Sequence, residues 1–176
     1  MGARARPASA SARWRSAVPE RREGETLRQV LVIHGPNLNL LGTREPEIYG
    51  GATLEEINRE LQEAAGKYGV SVRIIQSNHE GVLLDAIHQA GESVDFIIIN
   101  PGAFTHYSIA IHDALKAVNI PAIEVHLSNI YRREEFRRHS VVAPAVLGQI
   151  TGLGKEGYLL ALEAAARYLG KKVHDA

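Results

Sequence analysis

Apolar and polar positions along the chain alternate between two regimes, short continuous apolar runs and longer stretches at helical spacing. Val30-Leu-Val-Ile33 is an unbroken, largely β-branched run, the signature of a strand buried on both faces, and predicts strand one over about 29–34. Thr53-Leu-Glu-Glu56 is a capping box, and Leu54, Ile57, Leu61, Ala64 and Ala65 recur at helical spacing up to Tyr68, with Gly69 as the stop. Val70–Ile75 predicts strand two. Val82, Leu83, Ala86 and Ile87 predict a second helix over about 79–90, closed by Gly91. Val94–Asn100 is as apolar as a central strand, and a Pro-Gly turn and a helix over about 107–118 follow it. Pro121–Val125 reads as strand four, an Arg-rich helix covers about 132–138, and strand five falls at about 145–150. Tyr158, Leu159, Leu162, Ala165, Ala166 and Leu169 place a last helix over about 155–169.

Five strands alternating with helices predict an α/β fold, a three-layer sandwich around a five-stranded parallel sheet. The flavodoxin-like order 2-1-3-4-5 is the common five-strand solution. Its ligands sit beyond the carboxyl ends of the strands, near the switch between strands one and three. The loop after strand one is the conspicuous departure. Gly35, Pro36, Gly42, Pro46, Gly50 and Gly51 bar regular structure from it, and it far exceeds the ~2–6 residues usual between strand and helix. It carries Asn37, Asn39, Arg44, Glu45 and Tyr49 among the apolar anchors Leu38, Leu40, Leu41 and Ile48, a composition that suits a lid with polar tips.

Composition narrows the chemistry. The 176 residues suit one domain with a substantial core. Twenty Lys+Arg balance twenty Asp+Glu, so no overall charge points to nucleic acid or a membrane surface. There is no cysteine, hence no disulfide, thiol nucleophile or cysteine metal site. No apolar run approaches the ~20 residues of a membrane span. Residues 1–28 hold seven Arg against three Glu and show no apolar period. They are expected to form a disordered Arg/Ala/Ser-rich extension without the apolar core of a secretory signal, leaving residues 29–172 as the single catalytic domain.

The candidate residues cluster where the sheet order puts a site. Asn100-Pro-Gly-Ala-Phe-Thr-His106 is a strand end, a turn and a helix entrance, in which Asn100 offers an amide and His106 a ring nitrogen. Asp113 follows seven residues later, on roughly the same helix face. Glu124-Val-His126 puts a carboxylate and an imidazole on one strand face, the arrangement that fixes a tautomer for proton transfer. Ser128 and its neighbours can present backbone N–H groups to an anion. Arg133 and Arg137 are four apart, and one of them is expected to bind a carboxylate in bidentate fashion. His106, His112 and His126 leave a metal conceivable, but no H-E-x-x-H occurs and Glu124–His126 has a better use, so neither metal nor cofactor is expected. A cationic Arg44 near the Tyr49 phenol favours phenolate, which makes Tyr49 a base and His126 the complementary acid. Base, acid, an amide for an enolate oxygen and an arginine for a carboxylate suit proton abstraction beside a carbonyl and loss of water. A flavodoxin-like binding module, an anion-binding assembly and a metal-dependent hydrolase are the rivals. A binder needs no acid–base pair, and a hydrolase would be chelator-sensitive.

From about Leu31 to Leu169 the chain resembles type II 3-dehydroquinate dehydratase. The likeness rests on Gly35-Pro-Asn-Leu-Asn, Arg44-Glu-Pro-x-x-Tyr-Gly50, Gln76-Ser77, Asn100–His106, Glu124-Val-His-Leu-Ser-Asn129, Arg133–Ser140 and Gly152-Leu-Gly. The resemblance implies a flavodoxin-like fold and a cytoplasmic homododecamer built as a tetramer of trimers. It also implies cofactor-free anti elimination of water from 3-dehydroquinate to 3-dehydroshikimate, in the shikimate route to aromatic amino acids or in quinate catabolism. Carried over by residue, Tyr49 would remove the C2 proton, with Arg44 lowering its pKa and stabilising the transition state. Asn37 would help a water hold the enolate. His126, oriented by Glu124, would protonate the leaving hydroxyl. Asn100, His106, Asp113, Arg133, Arg137 and the backbone of Leu127 and Ser128 would bind substrate.

Overall fold

A computed structural model describes residues 27–43, 51–91 and 93–170. β1 (Arg28–His34), β2 (Val70–Gln76), β3 (Phe96–Asn100), β4 (Ala122–His126) and β5 (Gly148–Thr151) form one all-parallel sheet in the order β2-β1-β3-β4-β5. This is the expected flavodoxin-like arrangement. The period-two alternation of each buried strand supplies two cores. Val30, Val32, Phe96 and Ile98 pack on one face against α1 (Leu54–Tyr68) and α4 (Glu156–Tyr168). Leu31, Ile33, Ile97 and Ile99 pack on the other against α2 (Glu80–Ala90) and α3 (Ile109–Val118). Each such buried Ile, Leu or Phe side chain contributes roughly 1.5–3 kcal/mol by leaving water, which is why the central strands need no polar partner. No helix among the described residues is long and apolar enough to cross a membrane.

The local signals place the helices closely. Both halves of the capping box form on α1: Glu56 N–H donates to Thr53 Oγ1 at 3.2 Å, and Thr53 N–H donates to Glu56 Oε2 at 2.8 Å. Gly69 ends α1 in the left-handed region, φ 63°. At the amino edge, β1 takes in Arg28, one residue before the expected start of the strand. Arg28 Nη1 meets Asp95 Oδ1 at 2.6 Å, and the other carboxylate oxygen accepts the Gln29 N–H at 2.8 Å, so the strand starts one residue earlier. Residues 1–26 and 171–176 lie outside the described residues, as does the segment 44–50, which carries much of the loop expected to act as a lid.

Three predicted elements change character. The helix expected over 107–118 begins at Ile109, because Ser108 is its cap and accepts the Ile111 N–H at 3.0 Å. A separate 3-10 turn, Gly102–His106, precedes it, so His106 and Asp113 do not share a helix face. The Arg-rich helix expected over 132–138 is two 3-10 turns, Ile130–Arg132 and Glu135–Arg137, divided by Arg133 in an extended conformation (φ −99°, ψ −169°). Strand five starts at Gly148 because Pro144 sits in a 3-10 turn over Ala143–Ala145.

Candidate active site

A cavity of about 780 Å³, counting the part open to solvent, lies beyond the carboxyl ends of β1, β3 and β4. Two mirrored turns build its floor. Gly35 N–H donates to Asn100 O at 2.8 Å, and a Cβ on Gly35 would lie 2.5 Å from the Pro101 carbonyl, so only glycine lets these backbones approach. Gly102 answers from the other side, with φ +56° and its own Cβ position 3.2 Å from Pro36. The interlocked turns bring Asn37 and Asn100 into the cavity wall. Asn37 holds the left-handed conformation (φ 66°) and donates its N–H to Asn78 Oδ1 at 2.9 Å. Asn100 Oδ1 accepts the Gly102 N–H at 3.1 Å, so this side chain ties the turn as well as lining the cavity.

From β4 come the acid–base candidates. Strand period two places Glu124 and His126 side by side, and His126 Nε2 lies 2.6 Å from Glu124 Oε1. Glu124 is fully buried. Burial alone pushes its carboxyl up, but the hydrogen bond and charge of His126, with the hydroxyls of Thr105 and Ser140, outweigh it and hold the group below the ordinary glutamate value. Thr105 Oγ1 donates to Glu124 Oε1, and Ser140 Oγ reaches both carboxylate oxygens, at 3.1 and 3.0 Å. An ionised carboxylate only accepts, so Nε2 of His126 carries a proton and Nδ1 is the nitrogen left free of Glu124. The carboxylate sits where it meets the charge the ring bears once both nitrogens are protonated.

His106 lines the cavity with Nδ1 donating to His139 O at 2.8 Å, which leaves Nε2 as an acceptor. Burial lowers its pKa first, the His139 carbonyl opposes that, and the nearby charges of His126 and Arg137 lower it further. Arg133 and Arg137 both line the cavity, where their spacing alone leads only one of them to be expected and the family resemblance implies both. Glu134 Oε2 braces them, 3.5 Å from Arg133 Nε and 3.2 Å from Arg137 Nε. Leu127 and Ser128 complete the wall from β4. Asp113 is exposed on α3 and does not line this cavity. Tyr49 and Arg44 lie outside the described residues; Leu41, three positions before Arg44, lines the cavity.

Sequence reasoning left Thr105 and Ser140 without a role. Ser140 is 16 positions from Glu124, and no spacing rule connects a loop residue to a strand at that distance. Their use could be read only from the cost of a buried carboxylate, which demands donors. Sequence reasoning also gave no role to His34, which ends an otherwise apolar strand. Among the described residues no group of three or more His, Asp or Glu side chains is placed to hold a metal ion; His112, weighed as a ligand, donates Nδ1 to Val141 O at 2.8 Å.

Comparison with known proteins bears on what this cavity does. A family model described as dehydroquinase class II matches residues 28–166. A curated relative from Pelotomaculum thermopropionicum, named 3-dehydroquinate dehydratase, is 60% identical over 142 residues, 81% of this chain and 99% of that protein. The crystal structure of type II dehydroquinase from Propionibacterium acnes aligns with a TM-score of 0.77 at 48% identity, covering 80% of this chain and 97% of the other. That of type II dehydroquinase from Butyrivibrio crossotus aligns with a TM-score of 0.78 at 48% identity, covering 79% and 97%.

Proposed function

The chain belongs to the class II dehydroquinase family, a family of hydro-lyases, and from that premise we propose that it converts 3-dehydroquinate to 3-dehydroshikimate by cofactor-free anti elimination. The observation that carries the reading is the buried Glu124–His126 pair, whose histidine opens on a cavity with Asn37, Asn100, His106, Arg133 and Arg137 set among apolar walls. In this reading Tyr49, its phenol made acidic by Arg44, takes the C2 proton as phenolate. Negative charge moves onto the carbonyl oxygen, and a water held by Asn37 meets the resulting enolate. The enolate then expels the hydroxyl across the new double bond, and His126 Nδ1 gives that hydroxyl its proton, so one water leaves. Glu124 keeps the donor ring oriented and offsets its charge, which fits a carboxylate held ionised by three donors.

Substrate recognition divides in the same way. Arg133 and Arg137 face the carboxylate, a bidentate match for a guanidinium. Asn100 and His106 take the ring hydroxyls, and the backbone N–H groups of Leu127 and Ser128, donors suited to an anion, share the carboxylate. Asp113 stands on the surface of α3, so its part in binding would be in the cavity of a neighbouring copy. That fits the homododecamer, a tetramer of trimers, which we propose as the working assembly in the cytoplasm. A sedimentation profile showing monomer alone would remove it. The reaction would serve the shikimate route, or quinate catabolism with the same chemistry.

Mixing the purified protein with 3-dehydroquinate, with and without EDTA, tests the reading. The expected result is a rising ultraviolet absorbance of the conjugated enone, equal in both samples. A folded protein that produces no enone would overturn the proposal, and a signal abolished by EDTA would replace it with metal-assisted chemistry.

A further inference from the structure

We infer that His34 and Tyr158 are positioning residues, which fix the side-chain amide of Asn100 through a one-way chain of hydrogen bonds running beneath the cavity to Asn58. The inference rests on the reading above that Asn100 binds substrate. His34 and Asn100 end adjacent strands in register, and both point to the sheet face covered by α1 and α4. Asn58 belongs to α1 and Tyr158 to α4. His34 Nε2 lies 2.9 Å from Asn58 Oδ1, and His34 Nδ1 lies 2.7 Å from the Tyr158 hydroxyl. Tyr158 belongs to the core on the sheet face to which Asn100 points, Asn100 is the side chain that offsets the burial-raised pKa of its hydroxyl, and in the inferred chain the Asn100 amide donates to that oxygen.

Each direction in the chain follows from the one before. Asn58 Oδ1 only accepts, so His34 Nε2 carries the ring proton and Nδ1 is bare. The bare nitrogen accepts the Tyr158 hydroxyl proton, which leaves the phenol oxygen to accept from Asn100. Asn100 Oδ1 is already occupied by the Gly102 N–H, so the bond to Tyr158 comes from the amide nitrogen. Turning the Asn100 amide over would set its carbonyl against the Tyr158 lone pairs and its NH2 against the Gly102 N–H. The amide therefore has one orientation. It keeps one N–H and one carbonyl lone pair for the cavity that Asn100 lines.

The chain works only with a neutral imidazole, and burial supplies that: His34 is fully buried and its pKa is lowered to about 4. An apolar trio would fill the same space at less desolvation cost. Buried polar groups of this kind contribute orientation when every member is satisfied, as here.

Steady-state kinetics on 3-dehydroquinate test the assignment. Tyr158→Phe keeps the shape and removes one hydroxyl; it should raise KM about tenfold while changing kcat less than about twofold, the loss of one buried hydrogen bond expressed in binding. His34→Leu should do the same. His34→Asn should restore KM to within about threefold of the parent, because its Oδ1 can take the place of Nδ1 as the acceptor. Asn100→Ala is the reference and should raise KM more than about tenfold. Parent-like KM in both Tyr158→Phe and His34→Leu, with KM raised in Asn100→Ala, would overturn the inference and leave the role of Asn100 standing. Parent-like KM in Asn100→Ala would overturn both.

Discussion

His34 ends β1 and His126 ends β4; both are buried, and each sets a ring nitrogen against a side-chain oxygen. The oxygens differ. Nε2 of His126 meets an ionised carboxylate, and the ring lines the cavity with its other nitrogen uncommitted to Glu124. His34 has neutral partners on both nitrogens, and its basicity is depressed to about 4. Burial alone does not make a histidine catalytic. The counter-charge makes a second proton tolerable, and the cavity gives that proton somewhere to go. Without either, the same ring becomes a fixed, neutral hydrogen-bond junction.

Removing the pair proposed to transfer the proton breaks the comparison most sharply. His126→Ala should lower kcat by about a thousandfold, the usual contribution of a positioned general acid, with a smaller change in KM. Glu124→Gln should lower kcat by about a hundredfold, because an amide leaves the ring without its counter-charge. Stopped turnover assays on these variants beside Tyr158→Phe separate the two histidines: kcat falls for one network and KM rises for the other. A kcat loss as large in Tyr158→Phe as in His126→Ala would erase the distinction.

The same difference has a signature in stability against pH. The unfolded chain takes up a proton on His34 near pH 6.5, whereas the folded protein refuses it until about pH 4. Between those values the unfolded state binds more protons, so stability falls as pH drops from about 6.5 to about 4, and this contribution is flat below that. The shift corresponds to about 3 kcal/mol. Glu124 acts in the same sense but lower: its pKa is depressed, so its stabilisation is present above the ordinary glutamate value and is lost as pH falls through the lower folded value. Denaturant unfolding from pH 7 to pH 4 should therefore show a slope that His34→Asn flattens. An unchanged slope in His34→Asn would mean the imidazole is not held neutral by the fold.

Much of this was legible in the sequence, and the residues show why. The β-branched runs, the capping box at Thr53 and Gly69 fixed where elements begin and end, because those signals are local. Glu124 and His126 were legible as a pair because strand period is two and needs no tertiary knowledge. The helix face shared by His106 and Asp113 and the single Arg-rich helix do not form, for the opposite reason. Ser108 and the extended Arg133 restart the local structure, and short 3-10 turns have no strong period. Tyr158 reads as one more core position of a helix. Its hydroxyl matters through a partner 124 positions away, and no pattern in the chain announces that contact.

The smallest test asks how far the positioning chain must extend. Asn58 is the last link and lies nearer the surface than His34 or Tyr158, since its bond to His34 is only partly buried. Asn58→Ala removes the acceptor of the His34 Nε2 proton, but water can reach that end and replace it. The ring then keeps its tautomer and Nδ1 still accepts from Tyr158. KM should rise by no more than about twofold, with kcat unchanged, a loss well under that of one fully buried hydrogen bond. A KM effect as large as that of Tyr158→Phe would show that Asn58 alone sets the His34 tautomer. The contrast between the two histidines would then reach to the outer surface of α1, since each ring would depend on one specific side-chain oxygen.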